Sequence, residues 1–237
     1  WPREAEDIII ARDLILAEMT GARYHVAHVS SMGAVRLIRE AKSRGIRVSA
    51  EVTPHHLALT DTDVIGYDTY CKCNPPLRSA EDRAALREAL ADGTIDCIAT
   101  DHAPHTAEEK GQGYWKAPGG LPLVQHSLDM MMRLEQAGEI SLEKIVEKMC
   151  HANADLFDIQ ERGYLREGYF ADLVVVDMNN PWTVDKSNIF YHCGWSPFEG
   201  STFKAQISHT FVNGHLAYEN GNFSKERKAM RLTFNRE

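Results

Sequence analysis

Apolar and polar positions along the chain switch between two periods. Between residues 3 and 20, Ile8, Ala11, Leu14, Ile15 and Met19 recur at helical spacing and stop at Gly21, which predicts a helix closed by glycine. Tyr24 to Val29 then reads as a strand. A second helix is predicted over 32–43, where Val35, Leu37, Ile38 and Ala41 recur before Gly45. The run 47–52 reads as a strand that ends at Pro54-His55-His56. Another strand is expected over 69–74, and a helix over 81–90 behind Ser79. A short apolar strand over 95–100 follows, then helices at roughly 122–137 and 141–156. From about residue 165 the pattern becomes short β runs, over 172–177, 204–212 and 214–218, broken by Gly, Asn and Pro.

Strands alternating with helices imply parallel βα units and an α/β fold. About four units are expected. The unusual polar clusters fall at the C-terminal ends of the expected strands: His28, His55-His56, Asn74 and Asp101 to His105. That is the rim at which (β/α)8 barrels build their sites. Four units make half of such a barrel, so the rest is expected upstream of Trp1. The start agrees: Pro2, with Glu4 and Glu6 close behind, reads as a helix N-terminus rather than a chain start. The expected organisation is a barrel portion over 1–163 and a small β-rich domain over 164–237.

Composition narrows the class. The 237 residues are 43% hydrophobic and 25% charged, which is globular rather than disordered composition. No apolar run approaches the roughly 18 residues of a membrane span. The formal net charge of -8 disfavours a nucleic-acid surface. Five cysteines are an odd number for a closed disulfide set, so a reducing, cytoplasmic setting is expected. Phosphate-binding glycine loops and the nucleophile-elbow motif are both missing.

The candidate chemistry lies at the strand ends. Asp101-His102-Ala103-Pro104-His105 offers a carboxylate and two imidazoles on a proline-stiffened loop, suited to metal binding or proton transfer. The plain alternative is a capping Asp with solvent-facing histidines. His28 gains weight only through partnership with Asp101, and His25 is expected on the opposite sheet face. His55-His56 fits a supporting or a structural role equally. Cys71 and Cys73 read as buried small apolar residues on one strand face. Asn74 is followed by Pro75-Pro76, which would hold it rigidly. Glu108 to Gly113 reads as a mobile lid or a solvated loop. Ala117-Pro118-Gly119-Gly120 permits close backbone approach to a ligand, or is a plain turn.

These residues together carry a family likeness. Ala99-Thr100-Asp101-His102-Ala103-Pro104-His105-Thr106-Ala107-Glu108-Glu109-Lys110 resembles the dihydroorotase signature, and Lys72 to Arg78 resembles the substrate segment of the same family. Val26 to Ser31, Glu51 to Leu57, Gly168 to Asp177 and Trp195 to Gly200 fit the amidohydrolase barrel and its small β-domain. The resemblance implies a zinc-dependent cyclic amidohydrolase of pyrimidine biosynthesis, acting reversibly on dihydroorotate and N-carbamoyl-aspartate. It implies His28 as a metal ligand at the end of the fifth barrel strand. Asp101, at the end of the eighth, is implied as both metal ligand and general acid/base. Asn74 and His105 would hydrogen-bond the substrate, backbone at Pro118 and Gly119 would touch its ring, and loop 106–114 would close over it. One or two zinc ions, a small-molecule substrate and a homodimer are implied, with no nucleic acid or membrane partner.

The family's His-x-His pair with the following Arg, its bridging Lys or Asp and its further metal-binding His would all precede Trp1. The 117–121 stretch is shorter than in many bacterial relatives. The 237 residues by themselves are therefore expected to be inactive. Allantoinase or hydantoinase activity is the neighbouring alternative. A non-catalytic homologue serving as a structural partner is the distant one.

Overall fold

The computed structural model describes residues 1–235, with residues 66–68 described by their backbone; the last two residues of the expected β-rich domain lie outside the described residues. Two compact units emerge, Trp1–Ser127 with Phe190–Pro197, and Leu128–Ile189 with Phe198–Glu237.

The first unit is built on three parallel strands, β1 (Tyr24–Val26), β2 (Val48–Val52) and β3 (Cys97–Ile98), in that spatial order. Tyr24 pairs with Val48, and Glu51 with Cys97. Helix α1 (Arg3–Thr20) precedes β1, α2 (Met32–Ser43) runs between β1 and β2, and α3 (Pro54–Ala58), α4 (Asp61–Tyr67) and α5 (Ala80–Asp92) run between β2 and β3. Strand β2 buries Val48, Ala50 and Val52, where the alternation of a half-buried strand would place them. With Val26, Val35, Ile38, Leu57, Leu86 and Ile95 they belong to the core. The helix boundaries follow local chemistry. Ser31 accepts the Ala34 N–H at the start of α2, and Ser79 forms a capping box with Asp82 at the start of α5. Gly21, at φ 69°, closes α1 as a left-handed cap. Helix α1 buries Ile10, Leu14 and Ala17, while Ile8, Ile15 and Met19 of the expected apolar face are exposed.

The expected strand over 69–74 does not form. Asp68–Cys71 is a 3-10 turn, and the Lys72 N–H closes back on Thr69 O at 3.0 Å. Two prolines follow, which cannot donate to a ladder, and the Lys72 carbonyl accepts from the Gly120 N–H instead. The first unit therefore has three parallel strands rather than four, and Cys71 and Cys73 are buried outside any strand. Helix α6 (Ala107–Lys110) follows β3. The helix expected from 122 starts at Ser127 as α7 (Ser127–Gln136), because Leu123 and Val124 donate their N–H groups to His102 Nδ1 at 2.9 and 3.3 Å.

In the second unit the helical run 142–156 is α8 (Leu142–Val146), a π turn (Glu147–His151) and α9 (Ala152–Leu156). Strands β4 (Leu173–Asp177), β7 (Gln206–Val212), β8 (His215–Glu219) and β9 (Asn222–Phe223) form an antiparallel sheet in that order. A separate pair joins β5 (Trp182–Thr183) to β6 (Thr202–Phe203). No helix among the described residues is long and apolar enough to cross a membrane.

Asp82 ties three elements of the first unit together. Fully buried, it accepts the Met32 N–H at 2.9 Å and the Ser79 hydroxyl at 2.9 Å, and faces Arg3 at 3.2 Å. Asp82→Ala leaves these donors without a partner, and is expected to cost about 3 kcal/mol of stability in urea unfolding. A loss within experimental error of zero would contradict this hub.

Candidate active site

Parallel strands leave the sheet at one edge, and the candidate residues sit on the loops that begin there. His28 lies just beyond β1 at φ 39°, and Asp101 just beyond β3 at φ 47°. Left-handed backbone is uncommon away from glycine, and His and Asp are among the residues that tolerate it best. The strand expected to reach Val29 stops at Val26, so His28 belongs to the turn. His25 stays in the sheet, with Nδ1 2.8 Å from Ser49 Oγ and Nε2 3.1 Å from Glu51 Oε2.

Burial and the Glu51 carboxylate push Asp101 above the usual carboxylate range, and His28 pulls it back. Both His28 and Glu51 thus act electrostatically on Asp101. His28 Nδ1 is buried and has no hydrogen-bond partner among the described residues. No described residue donates a hydrogen bond to the Asp101 carboxylate either. An unpartnered imidazole nitrogen beside an unpartnered carboxylate is the donor set a divalent cation takes. The residues present fit a metal.

His55 and His56 start α3 and are fully buried, with rings 4.3 Å apart. His56 Nε2 lies 3.1 Å from Pro75 O and must carry its proton, because a carbonyl only accepts. Its Nδ1 therefore accepts the Thr53 hydroxyl proton at 2.7 Å. Thr53 Oγ1 in turn accepts from His55 Nε2 at 3.2 Å, which leaves His55 Nδ1 as a bare, unpartnered lone pair. Burial pushes His56 down to about 4, and His55 well below its ordinary value, so both rings are neutral. Potential metal-ligand atoms of His55, His56 and Cys73 lie within 4.8 Å of one another. The second such group is His25, Glu51 and Cys97.

Asn74, His105 and the 118–120 backbone converge. A Cβ added at Gly119 would lie 3.1 Å from Asn74 Nδ2, and one at Gly120 would lie 3.1 Å from the His105 ring. The Asn74–Pro75 peptide is cis. His105 Nδ1 lies 3.6 Å from Glu109, and its carbonyl accepts the Trp195 indole N–H at 2.7 Å. The mobile lid expected over 108–113 is corrected in part: the Thr106 capping box fixes α6, and Lys110 is fully buried. Lys110 was hidden in a Glu-Glu-Lys run that reads as solvated surface. Glu51, Thr53 and Trp195 lie in segments that carry the family resemblance, but no local pattern marks what their side chains hold.

A histidine and an aspartate at the ends of parallel strands form a donor pair that a divalent metal could take. Residues 6–217 match the amidohydrolase family, and the chain belongs to it. The chain is 45% identical over 219 residues to a dihydroorotase of Endomicrobium trichonymphae, covering 92% of this chain and 52% of that protein. It is 47% identical to a dihydroorotase of Pelotomaculum thermopropionicum, covering 92% and 51%. Among solved structures it resembles the L-hydantoinase (dihydropyrimidinase) of Arthrobacter aurescens, with TM-score 0.90 and 36% identity, covering 95% and 51%. The dihydropyrimidinase of Brevibacillus agri aligns with TM-score 0.87 and 27% identity, covering 94% and 50%. The chain thus spans about half the length of the relatives it matches.

Gly120 is the tightest point of the site. Its φ is 143°, and an added Cβ would sit 2.6 Å from Ala103 O. Gly120→Ala is expected to lower stability by about 1–3 kcal/mol and to displace the loop against His105. A denaturation midpoint equal to wild type would show that the loop has room that this geometry denies.

Proposed function

We propose that this chain carries the catalytic aspartate and the substrate loops of a dihydroorotase, a hydrolase that opens the ring amide of dihydroorotate to N-carbamoyl-aspartate and also runs in reverse. The convergence of Asn74, His105 and Gly119, on the loops that adjoin the coupled His28–Asp101 pair, carries this reading. In it residues 1–163 are part of a (β/α)8 barrel and residues 164–237 part of a small β-domain. If β3 is the eighth barrel strand, the three-stranded sheet makes β1 the sixth, which corrects the fifth-strand placement of His28.

His28 and Asp101 would hold the metal, zinc in this reading, with further ligands from outside the described residues. When bound, the metal supplies Lewis-acid polarisation of the ring carbonyl and brings the pKa of water to about 7. Asp101 accepts the proton of the attacking water and returns it to the ring nitrogen as the amide C–N bond breaks. The Asn74 amide and the His105 imidazole bind and orient the substrate, and the backbone at Pro118 and Gly119 lies against its ring. Gly119 and Gly120 lack a Cβ, which lets their backbone pack against Asn74 and Ala103. Five free cysteines, three of them buried, suit a reducing cytoplasm. A homodimer is part of the same reading.

In the metal-loaded protein, Asp101→Asn is expected to lower dihydroorotate turnover by at least about 10³-fold, within the range of lost acid/base catalysis. Wild-type-like activity would refute the acid/base role. Metal content and hydrolysis of dihydroorotate, allantoin and hydantoin are to be compared for the 237 residues alone and for the chain joined to the additional half-length of its relatives. Near-stoichiometric metal and dihydroorotate hydrolysis in the joined protein, with little of either in the 237 residues, is the expected pattern. Preference for hydantoin would move the assignment to the hydantoinases. A folded joined protein without metal or turnover would favour a non-catalytic partner.

A further inference from the structure

Lys110 stands apart from every other cation in the first unit. It is fully buried, and no carboxylate pairs with it among the described residues. Its Nζ donates instead to three backbone carbonyls, Lys72 O at 3.1 Å, Pro118 O at 3.1 Å and Gly120 O at 3.0 Å. An ammonium has three protons, so the three acceptors saturate it. Pro118 and Gly120 flank Gly119 on both sides. The Lys72 carbonyl lies two residues before Asn74 and also accepts the Gly120 N–H at 2.9 Å. One nitrogen therefore fastens the Asn74 segment to the Gly119 segment at the point where the Asn74 amide packs on Gly119. Lys110 is itself held from behind, because Thr69 Oγ1 donates to its carbonyl.

We propose that Lys110 is a positioning residue: its ammonium fixes the separation between Asn74 and Gly119, and thereby sets how tightly the cyclic amide is gripped. This rests on the reading of Asn74 and Gly119 as substrate-binding residues. The clamp also carries a pH dependence. Burial pushes Lys110 down to about 8; Lys72 adds to the shift, and the Cys71 and Cys73 thiols oppose it. Both thiols are pushed up to about 12 by burial and are uncharged at working pH. The Trp195 ring lies 5.8 Å from Nζ and does not titrate. A neutral amine keeps two protons and turns a lone pair toward the third carbonyl, so one attraction becomes a repulsion. The two segments are then expected to loosen as pH rises through about 8.

The test uses the metal-loaded full-length protein, wild type and Lys110→Met, between pH 7 and 9.5. Two quantities are followed: hydrogen-exchange protection of the Gly120 amide relative to the amides of β2, and KM and kcat for dihydroorotate. In wild type, relative protection is expected to fall at least tenfold through pH 8. KM should rise in step, and kcat should change less than twofold from the same step. Lys110→Met should show low protection and high KM at every pH, with no step. Flat protection through pH 8 in wild type overturns the clamp, as does a Lys110→Met protein whose protection and KM match wild type. The wild-type arm decides even if the variant folds poorly. If wild type does not hydrolyse dihydroorotate, the functional reading fails, while the amide measurement still judges the clamp.

Discussion

Parallel pairing of β1, β2 and β3 is the constraint from which the rest of the first unit follows. Parallel neighbours cannot be joined by a tight turn, so each strand must exit, cross back through a helix and re-enter at the other edge. All three strands therefore end on one side. Residues far apart in sequence, His28, Thr53 to His56 and Asp101, become neighbours without any long-range motif to specify them. The pairing does more than gather them. The Val29 N–H bonds Glu51 O, and the Ala99 N–H bonds Val52 O, so hydrogen bonding across the sheet continues to the very start of the loops. His28 and Asp101 are turned into left-handed backbone immediately beside these anchors. Such strain costs of order 1–2 kcal/mol per residue and persists only where the surroundings over-determine it.

Those surroundings are polar and buried. Arg78 donates to Ser30 Oγ at 3.1 Å and to Trp1 O at 2.8 Å, and pairs with Glu6 at 3.3 Å. Glu6 in turn accepts the Ser30 N–H at 2.8 Å. The side chains of the Arg78–Glu6 pair are almost wholly buried, so removing either partner strands a charge. The network fastens the loop after His28 to the segment that follows Asn74. His56, through Pro75 O, fastens the same segment to the loop after β2. Lys110 completes the pattern from the other side. Each loop of the site is thus held by a side chain borrowed from another loop, mostly through backbone oxygens. That arrangement fixes the main chain on which Asn74 and His105 are carried.

Much of this was legible in the sequence, for identifiable reasons. Helices α1, α2 and α5 have clear periodicity and strong punctuation, with Gly21, Ser31 and Ser79 at their ends, and their bounds fell close to expectation. Strand β2 alternates, and its residues were placed correctly. The segment 69–74 reads as a strand because Tyr, Cys and Thr favour strands, whereas its Lys72 carbonyl is bonded by Lys110 and Gly120, more than 35 residues away. Tertiary hydrogen bonding of this kind leaves no local trace. Lys110 was misjudged for the same reason. A lysine after two glutamates looks solvated, and only the fold reveals that it is enclosed. The grouping of His28 with Asp101 could be anticipated from strand ends, but the supporting tautomer chain through Thr53 could not. That chain depends on His56 donating to a carbonyl contributed by a segment 19 residues on.

A division of labour follows. Dihydroorotases and hydantoinases share a cyclic amide as substrate and, in our reading, the metal-binding end of the site. In the proposed reading His28 and Asp101 would act on the scissile amide itself, which is the same functional group in every such substrate, so they would not separate one ring from another. Discrimination has to come from groups that touch the remainder of the ring. In the proposed reading those would be the Asn74 amide, the His105 imidazole and the backbone around Gly119, all outside the metal pair. Their relative placement depends on the carbonyls that Lys110 binds. A change of a few tenths of an ångström in that clamp would alter the fit of the ring without touching the reacting atoms. Specificity in this fold is therefore expected to reside in how the 72–74 and 117–120 segments are held together, while reactivity resides in the strained turns at the sheet edge.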